Sequence, residues 1–88
     1  MSANHHILKT DHYLMPDIRS RAKQFDVRKD DRGFAVGDTL LLQGWNKNLQ
    51  KNTEHKIKAL ITYILPGGQY GIQKGYVVLG IKVINCNF

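Results

Sequence analysis

Two β-rich segments near the C-terminal end most restrict the folds available to this chain. Apolar side chains alternate with more polar ones along residues 54–65, a spacing typical of a strand with one buried face. The apolar face would carry Ile57, Ala59, Ile61, Tyr63 and Leu65. Residues 76–84 are rich in β-branched side chains and predict a last strand. The proline and glycines of residues 66–68 end the first segment, and residues 69–75 form a loop between the two.

A single short helix is predicted after residues 5–10, which form a short first strand. Apolar residues then recur at three- and four-residue spacing, as on one side of an amphipathic helix. They are Leu14, Met15, Ile18 and Ala22. Asp11 is a candidate N-cap. Because Pro16 is tolerated only in a first turn, the helix is expected to begin near Met15 and to have barely two turns.

A short charged strand is predicted over residues 24–28. Phe25 and Val27 alternate with Asp26 and Arg28. We expect Phe25 and Val27 to face a core and the two charged residues to face the other way. Charges this dense on one strand suit a polar recognition cleft, and they are equally typical of a solvated edge strand.

The remaining pattern completes an α+β, mainly β, fold. Residues 39–45 predict another strand, and the polar residues 46–53 predict a mobile loop. Five strands and one early helix indicate a small twisted five-stranded β-barrel, partly closed, with an N-terminal helix. We expect one domain over residues 5–85, with residues 1–4 and 86–88 as terminal extensions.

Composition places the chain among small globular proteins. Hydrophobic residues make up 42% and charged residues 23% of the 88 residues. The apolar runs near residues 60–65 and 77–81 are too short to cross a bilayer, so no membrane partner is expected. Residues 1–6 lack signal-peptide architecture, and a cytoplasmic protein is therefore expected. Cys86 is the only cysteine, which excludes an internal disulfide.

Basic residues are concentrated in one part of the sequence. The net charge is +6, and six of the thirteen basic residues lie between Arg19 and Arg32. They are Arg19, Arg21, Lys23, Arg28, Lys29 and Arg32. Such clustering favours a polyanionic partner such as nucleic acid. Interleaved aspartates dilute the cluster, and a basic surface without a partner is the alternative.

The segment that contains this cluster resembles a known family. Residues 22–32 read Ala-Lys-Gln-Phe-Asp-Val-Arg-Lys-Asp-Asp-Arg, and Val-Gly-Asp at 36–38 and Leu-Leu-Leu-Gln at 40–43 follow. Together they resemble the ASCH domain family of the PUA-like superfamily, especially its small bacterial and phage branch of unknown function. The likeness covers about residues 5–85. It implies a PUA-like β-barrel with a helix beside it and an RNA-binding cleft between the two.

Several positions depart from the family pattern. Arg21 stands where the family usually has glycine at the helix end, and Asp26 replaces the commoner glutamate. Asp30 stands where asparagine is usual. Gly44 follows Gln43 where the family often has glutamate, which removes one carboxylate from the rim of the implied cleft.

The resemblance assigns binding residues to this chain. Lys23, Asp26 and Arg28 would line the cleft, and Lys9 and Gln43 would border it. Arg28 could pair bidentately with a phosphate or a base edge.

Further residues would complete an RNA interface. Lys29 and Arg32, with Lys9 and Lys23, would pair with phosphates and make affinity salt-dependent. Trp45, Tyr13 or Tyr70 could stack on an unpaired base. Packing in the core or at its rim is the alternative role of these aromatic residues.

A small hydrolase is the alternative function. Some compact ASCH relatives are amidohydrolases that act on acylated cytidine, and others are ribonucleases. In the amidohydrolases a lysine, a threonine and a glutamate share the chemistry. Lys23 matches the lysine, Asp26 occupies the threonine position, and no residue here matches the glutamate. One match of three favours binding over catalysis, with Lys23 and Asp26 as the catalytic candidates if the chain hydrolyses modified nucleosides or RNA.

Neither a cofactor nor a metal is predicted. His5 and His6 are adjacent, and His12 and His55 are isolated, so the ligand spacing of a metal site is missing. ASCH domains also occur in transcription coactivators, so a protein partner could bind at the barrel mouth or at residues 46–53.

Overall fold

Five strands form one curled sheet with the shape of a half-barrel. The structure is a computed structural model, and it describes residues 4–86. The strands are β1 (His5–Asp11), β2 (Phe25–Lys29), β3 (Thr39–Asn46), β4 (Lys51–Pro66) and β5 (Tyr76–Cys86). Their order in the sheet is β1-β3-β4-β5-β2. β1 runs parallel to β3, and the other three pairings are antiparallel. The five predicted strands are confirmed. Of the expected terminal extensions 1–4 and 86–88, residues 1–3 and 87–88 lie outside the described part.

One short helix follows β1, as predicted. A 3₁₀ turn, His12–Leu14, leads into α1, Met15–Arg19. Pro16 lies in the first turn of α1, where its missing N–H costs no hydrogen bond. Asp11 ends β1, and its side chain makes no capping hydrogen bond. Within residues 4–86 no helix has the length and apolar character needed to span a membrane.

The hydrophobic core fills the concave side of the sheet. β1 contributes one residue, and β3, β4 and β5 each contribute alternate residues, as the two-residue period of a strand requires. The contributors are Leu8, Leu40, Leu42, Ile57, Ala59, Ile61, Val77, Leu79, Ile81 and Val83. Met15 and Ile18 of α1 cover this face and are almost fully buried. The helix is therefore held by its apolar side against the sheet.

The expected orientation of β2 is wrong. Phe25 and Val27 are each 47% exposed, whereas Asp26 is only 6% exposed. β2 is an edge strand that pairs only with β5 in the described sheet. Its Asp26 face turns to the concave side because Lys23 and Arg28 offset the charge of the carboxylate there.

Two irregularities change the predicted strand faces and ends. The register of β4 against β5 shifts between Ile61 and Tyr63, so Tyr63 is 65% exposed instead of joining the apolar face. The register of β3 against β4 shifts between Gln43 and Trp45. The hairpin continues beyond this bulge to Asn46 and Lys51, so half of the predicted loop 46–53 is strand and residues 47–50 form a turn.

Candidate functional site

The open side of the half-barrel is the gap between edge strands β1 and β2, which we call the seam. Arginine side chains from β2 and the following turn cross it. Arg28 Nη1 donates to the Lys9 carbonyl oxygen at 2.7 Å, and Arg28 Nη2 donates to Thr10 Oγ1 at 2.9 Å. Arg32 Nη1 donates to the Ile7 carbonyl oxygen at 3.0 Å. Side-chain hydrogen bonds therefore connect the two strands at opposite ends of the sheet order.

Asp26 fixes Arg28 in this bridging position. Arg28 Nε donates to Asp26 Oδ2 at 2.8 Å, and Lys23 Nζ lies 3.7 Å from Asp26 Oδ1. The three bonds of Arg28 use three of its five N–H donors. The structure thus brings together Lys23, Asp26 and Arg28, the three residues that the resemblance assigned to a cleft.

Lys23 lies in the turn after α1, which places its side chain beside Asp26. Lys23 Nζ donates to the Phe25 carbonyl oxygen at 2.7 Å and lies 4.7 Å from the centre of the Phe25 ring. Arg21 has a φ of +69°, a left-handed conformation that glycine adopts most easily. Arginine therefore occupies a left-handed position in this turn.

Arg28 separates two small clefts along the seam. The Thr10 cleft has a volume of about 180 Å³ and is lined by Lys9, Thr10, Asp11, Leu14, Asp26, Val27 and Arg28. The Lys29 cleft also measures about 180 Å³ and is lined by Leu8, Arg28, Lys29, Asp31, Arg32 and Phe34. The predicted phosphate-binding residues Lys9, Lys29 and Arg32 therefore lie in two clefts that both include Arg28.

Trp45 lies beside the Thr10 cleft. The Lys9 Nζ atom is 3.9 Å from the centre of the Trp45 ring, a cation–π contact. The two residues lie on adjacent strands, since Asp11 of β1 is in register with Trp45 of β3. Trp45 is partly exposed at the surface, so one lysine and one aromatic ring are presented together.

Gln43 is buried and bonded within the chain. Its Nε2 donates to the carbonyl oxygens of Gly44, Thr53 and His55 at 3.1, 2.8 and 3.2 Å. Gly44 packs so closely against Thr53 that a Cβ atom at this position would overlap the Thr53 hydroxyl. A glutamate at this position would require the Thr53 side chain or the neighbouring backbone to shift. The geometry gives Gln43 a role in holding the β3–β4 bulge.

Thr10 belongs to the site although the sequence analysis did not select it. It is 3% exposed, and its hydroxyl accepts the hydrogen bond from Arg28. The alternation of His6, Leu8 and Thr10 on the buried face of β1 was a usable signal. The position of a threonine opposite an arginine 18 residues away was not visible in the sequence.

A second buried carboxylate lies at the start of β3, away from these arginines. Asp38 accepts hydrogen bonds from the backbone N–H groups of Asn4 and Ala35 at 3.1 and 3.0 Å. His6 Nε2 lies 2.9 Å from Asp38 Oδ2, and the His6 ring contacts Phe34 edge-on. The hydrogen bond from His6 lowers the pKa of the Asp38 carboxyl below its usual value, and the two backbone bonds act in the same direction, while burial opposes them.

Metal ligands are not grouped in the described part of the chain. Among residues 4–86, no three His, Cys, Asp or Glu side chains are placed to hold a metal ion. His5 donates to or accepts from Thr39 Oγ1 at 2.7 Å, depending on its tautomer, and His6 binds Asp38. The polar residues of the seam are therefore the candidate site.

One known family model matches most of the chain. A family model described as "Domain of unknown function (DUF3850)" matches residues 5–81. This range includes β1 to β4, α1 and the first half of β5, so it contains the whole seam. A search of curated proteins gave no match.

Proposed function

We propose that this chain, which belongs to the DUF3850 family, binds single-stranded RNA along the seam. The observation that carries the proposal is the group of cationic side chains across and beside the seam. They are Lys9, Lys23, Arg28, Lys29 and Arg32. A phosphate backbone that lies along the seam would replace counterions at each cation, so the affinity would depend on salt.

The shape of the clefts supports an extended polymer over an enclosed small molecule. Each seam cleft measures about 180 Å³. Sites that enclose a small molecule usually have volumes of about 300–1,000 Å³. Clefts of the observed size suit single phosphates or base edges of an RNA strand that continues over the protein surface. This comparison favours RNA over hydrolysis of a free acylated nucleoside.

The partners of each residue support a division of roles. Arg28 has two N–H donors beyond its three internal bonds, and these could meet a phosphate or a base edge. Lys29 and Arg32 are exposed and could pair with phosphates at small cost to the fold. Trp45, beside Lys9 and the Thr10 cleft, could stack on an unpaired base.

We also propose that the fold is the PUA-like fold of ASCH domains and that the protein works in a bacterial cytoplasm. The curled five-stranded sheet with one helix supports this assignment. So does the meeting of Lys23, Asp26 and Arg28, which the ASCH pattern places in one cleft. The RNA-binding proposal rests on the cations themselves and stands without the family assignment.

The proposal is tested with a labelled single-stranded RNA titrated at low and moderate salt. The double variant Lys29→Ala/Arg32→Ala removes two exposed seam cations. It gives up the single hydrogen bond from Arg32 to the Ile7 carbonyl oxygen and keeps the three hydrogen bonds of Arg28. We expect weaker binding and a salt dependence whose slope falls by about 1.4, because each lost phosphate contact in a single strand contributes about 0.7. Arg28→Ala is a poorer test because it removes both Arg28 hydrogen bonds to β1 and the bond to Asp26.

Lys82→Ala is a suitable control. Lys82 is exposed on the convex side of β5, between the core residues Ile81 and Val83. Its loss lowers the net charge without touching the seam, and we expect a smaller effect on affinity and slope than the loss of either seam cation. Absence of binding by the unaltered protein at low salt would refute the proposal. Turnover of acylated cytidine that is lost in Lys23→Ala would then favour the hydrolase.

A further inference from the structure

We propose that a groove beside α1 binds one unpaired nucleotide of the same RNA strand, an inference that rests on the proposed function. The groove is formed by the 3₁₀ turn, α1 and β4. It is lined by His12, Tyr13, Met15, Pro16, Arg19 and His55. These residues do not line either seam cleft.

The size of the groove fits one nucleotide. Its volume is about 330 Å³. This is nearly twice that of either seam cleft and within the usual range of about 300–1,000 Å³ for sites that hold a small molecule. The groove can therefore take a group that the seam clefts are too small to enclose.

The walls of the groove combine an apolar surface with an aromatic ring. Met15 and Pro16 contribute apolar atoms, and Met15 is itself packed into the core. Tyr13 is 63% exposed, although a tyrosine ring gains free energy from burial. An exposed ring above an apolar floor is the arrangement on which a nucleobase stacks in single-strand-binding proteins.

The polar groups of the groove are suited to a phosphate or a base carbonyl. Arg19 Nη2 lies 3.1 Å from His55 Nδ1. Because an arginine nitrogen can only donate, His55 Nδ1 is the acceptor, and the ring proton is on Nε2. The lining of the groove therefore includes a guanidinium and an imidazole, together with the Tyr13 ring. Lys47 adds a positive charge at the rim, 5.9 Å from the Tyr13 ring and 4.0 Å from Asp11.

The groove adjoins the seam. Leu14 of the 3₁₀ turn lines the Thr10 cleft, whereas the two residues before it line the groove. One turn of backbone thus separates the two cavities. An RNA strand that occupies the Thr10 cleft could place its next base across this turn and onto Tyr13.

The test compares Tyr13→Ala with Tyr63→Ala. Tyr63 is 65% exposed, close to the 63% of Tyr13, and it lies eight residues along β4 from the groove residue His55. Both substitutions remove one exposed tyrosine from the surface. Fluorescence anisotropy with a labelled oligouridylate of about 16 nucleotides, the upper end of the site sizes of single-strand-binding folds, gives the affinities.

We expect Tyr13→Ala to weaken binding about five- to 150-fold, the effect of losing one base–aromatic stack. Tyr63→Ala should bind like the unaltered protein. On addition of the same oligouridylate, the ring NMR signals of His12 and His55 should shift, and that of His5 should not.

Three results would overturn the inference, and they are distinguishable. If the unaltered protein binds no RNA at low salt, the proposed function and the groove fail together. If RNA binds but Tyr13→Ala and Tyr63→Ala have equal affinities, the groove alone fails and the seam stands. If Tyr13→Ala weakens binding while the His55 signal does not move, Tyr13 acts outside the groove.

Discussion

Asp26 and Asp38 are both buried carboxylates, yet they lie in regions of different character. Asp38 is bonded to two backbone N–H groups and to His6, all within a closed corner where β1, β3 and the preceding turn meet. Asp26 is bonded to two side-chain cations, Lys23 and Arg28, at the open seam. The first carboxylate joins parts of the backbone, and the second holds charges beside a cleft.

The difference shows that the partners of a buried charge identify its role better than its burial does. Backbone donors cannot leave Asp38 without changing the fold. The side chains of Lys23 and Arg28 are 16% and 20% exposed, so they keep access to water and to a ligand. A perturbed or buried acid is often taken as a sign of function. The pKa of the Asp38 carboxyl is lowered by partners that belong to the fold itself.

The largest expected effect is the loss of stability in Asp38→Ala. The substitution leaves three donors without their acceptor, and each lost hydrogen bond costs about 0.5–1.5 kcal/mol. We therefore expect the free energy of unfolding to fall by about 2–4 kcal/mol, measured by urea denaturation. The RNA affinity of the folded fraction should not change. An equal effect of Asp17→Ala, which removes an exposed carboxylate, would contradict the structural role of Asp38.

Asp26→Ala should destabilise the protein less and should alter RNA binding. Removing one partner of a fully buried ion pair costs about 3–5 kcal/mol, but Lys23 and Arg28 can reach water, and we expect about 1–2 kcal/mol. The variant frees two cations at the seam, so the affinity for RNA and the slope of its salt dependence should both rise. Weaker RNA binding at equal folded fraction would show that Asp26 itself contacts the ligand or positions Arg28 for it.

The smallest effect is an acid dependence that belongs to Asp38. Its pKa is lower in the folded chain than in the unfolded chain, so the unfolded state binds more protons at low pH. The contribution of this carboxylate is complete above its usual pKa of about 3.9 and is lost as the pH falls through the folded value. Urea titrations at several pH values should show that Asp38→Asn has a flatter profile below about pH 4 than the unaltered protein. Parallel profiles would assign the acid sensitivity to other carboxylates.

Local patterns in the sequence predicted most of the strands but only part of their environment. The alternation along β4 and the β-branched residues of β5 identify strands because a strand's period depends on neighbouring residues alone. Pro16 likewise located the start of α1. Alternation defines two faces of a strand without stating which one is buried, and for β2 the expected face was wrong. The apolar Phe25 and Val27 are exposed because Arg28 finds partners on β1, a contact that no local pattern contains.

The same limit applies to the candidate site. The grouping of Lys23, Asp26 and Arg28 was predictable from their close spacing and from the family resemblance. The contributions of Thr10 and of the Ile7 and Lys9 carbonyls come from residues 18 to 25 positions away along the chain. The bulge that buries Gln43 and the register shift that exposes Tyr63 also depend on neighbouring strands.

The arginines that cross the seam join β1 to β2 through side chains, whereas backbone hydrogen bonds join the other neighbouring strands. Four backbone ladders join the five strands in order, and each fixes a spacing of about 4.8 Å between its strands. Between β1 and β2 the connection is made by guanidinium groups at the ends of side chains with several rotatable bonds. The distance across this one gap is set by side-chain torsions, so it can lengthen or shorten while all four ladders remain intact. The width of the seam therefore depends on the side chains of Arg28 and Arg32, two of the residues that we propose to bind RNA.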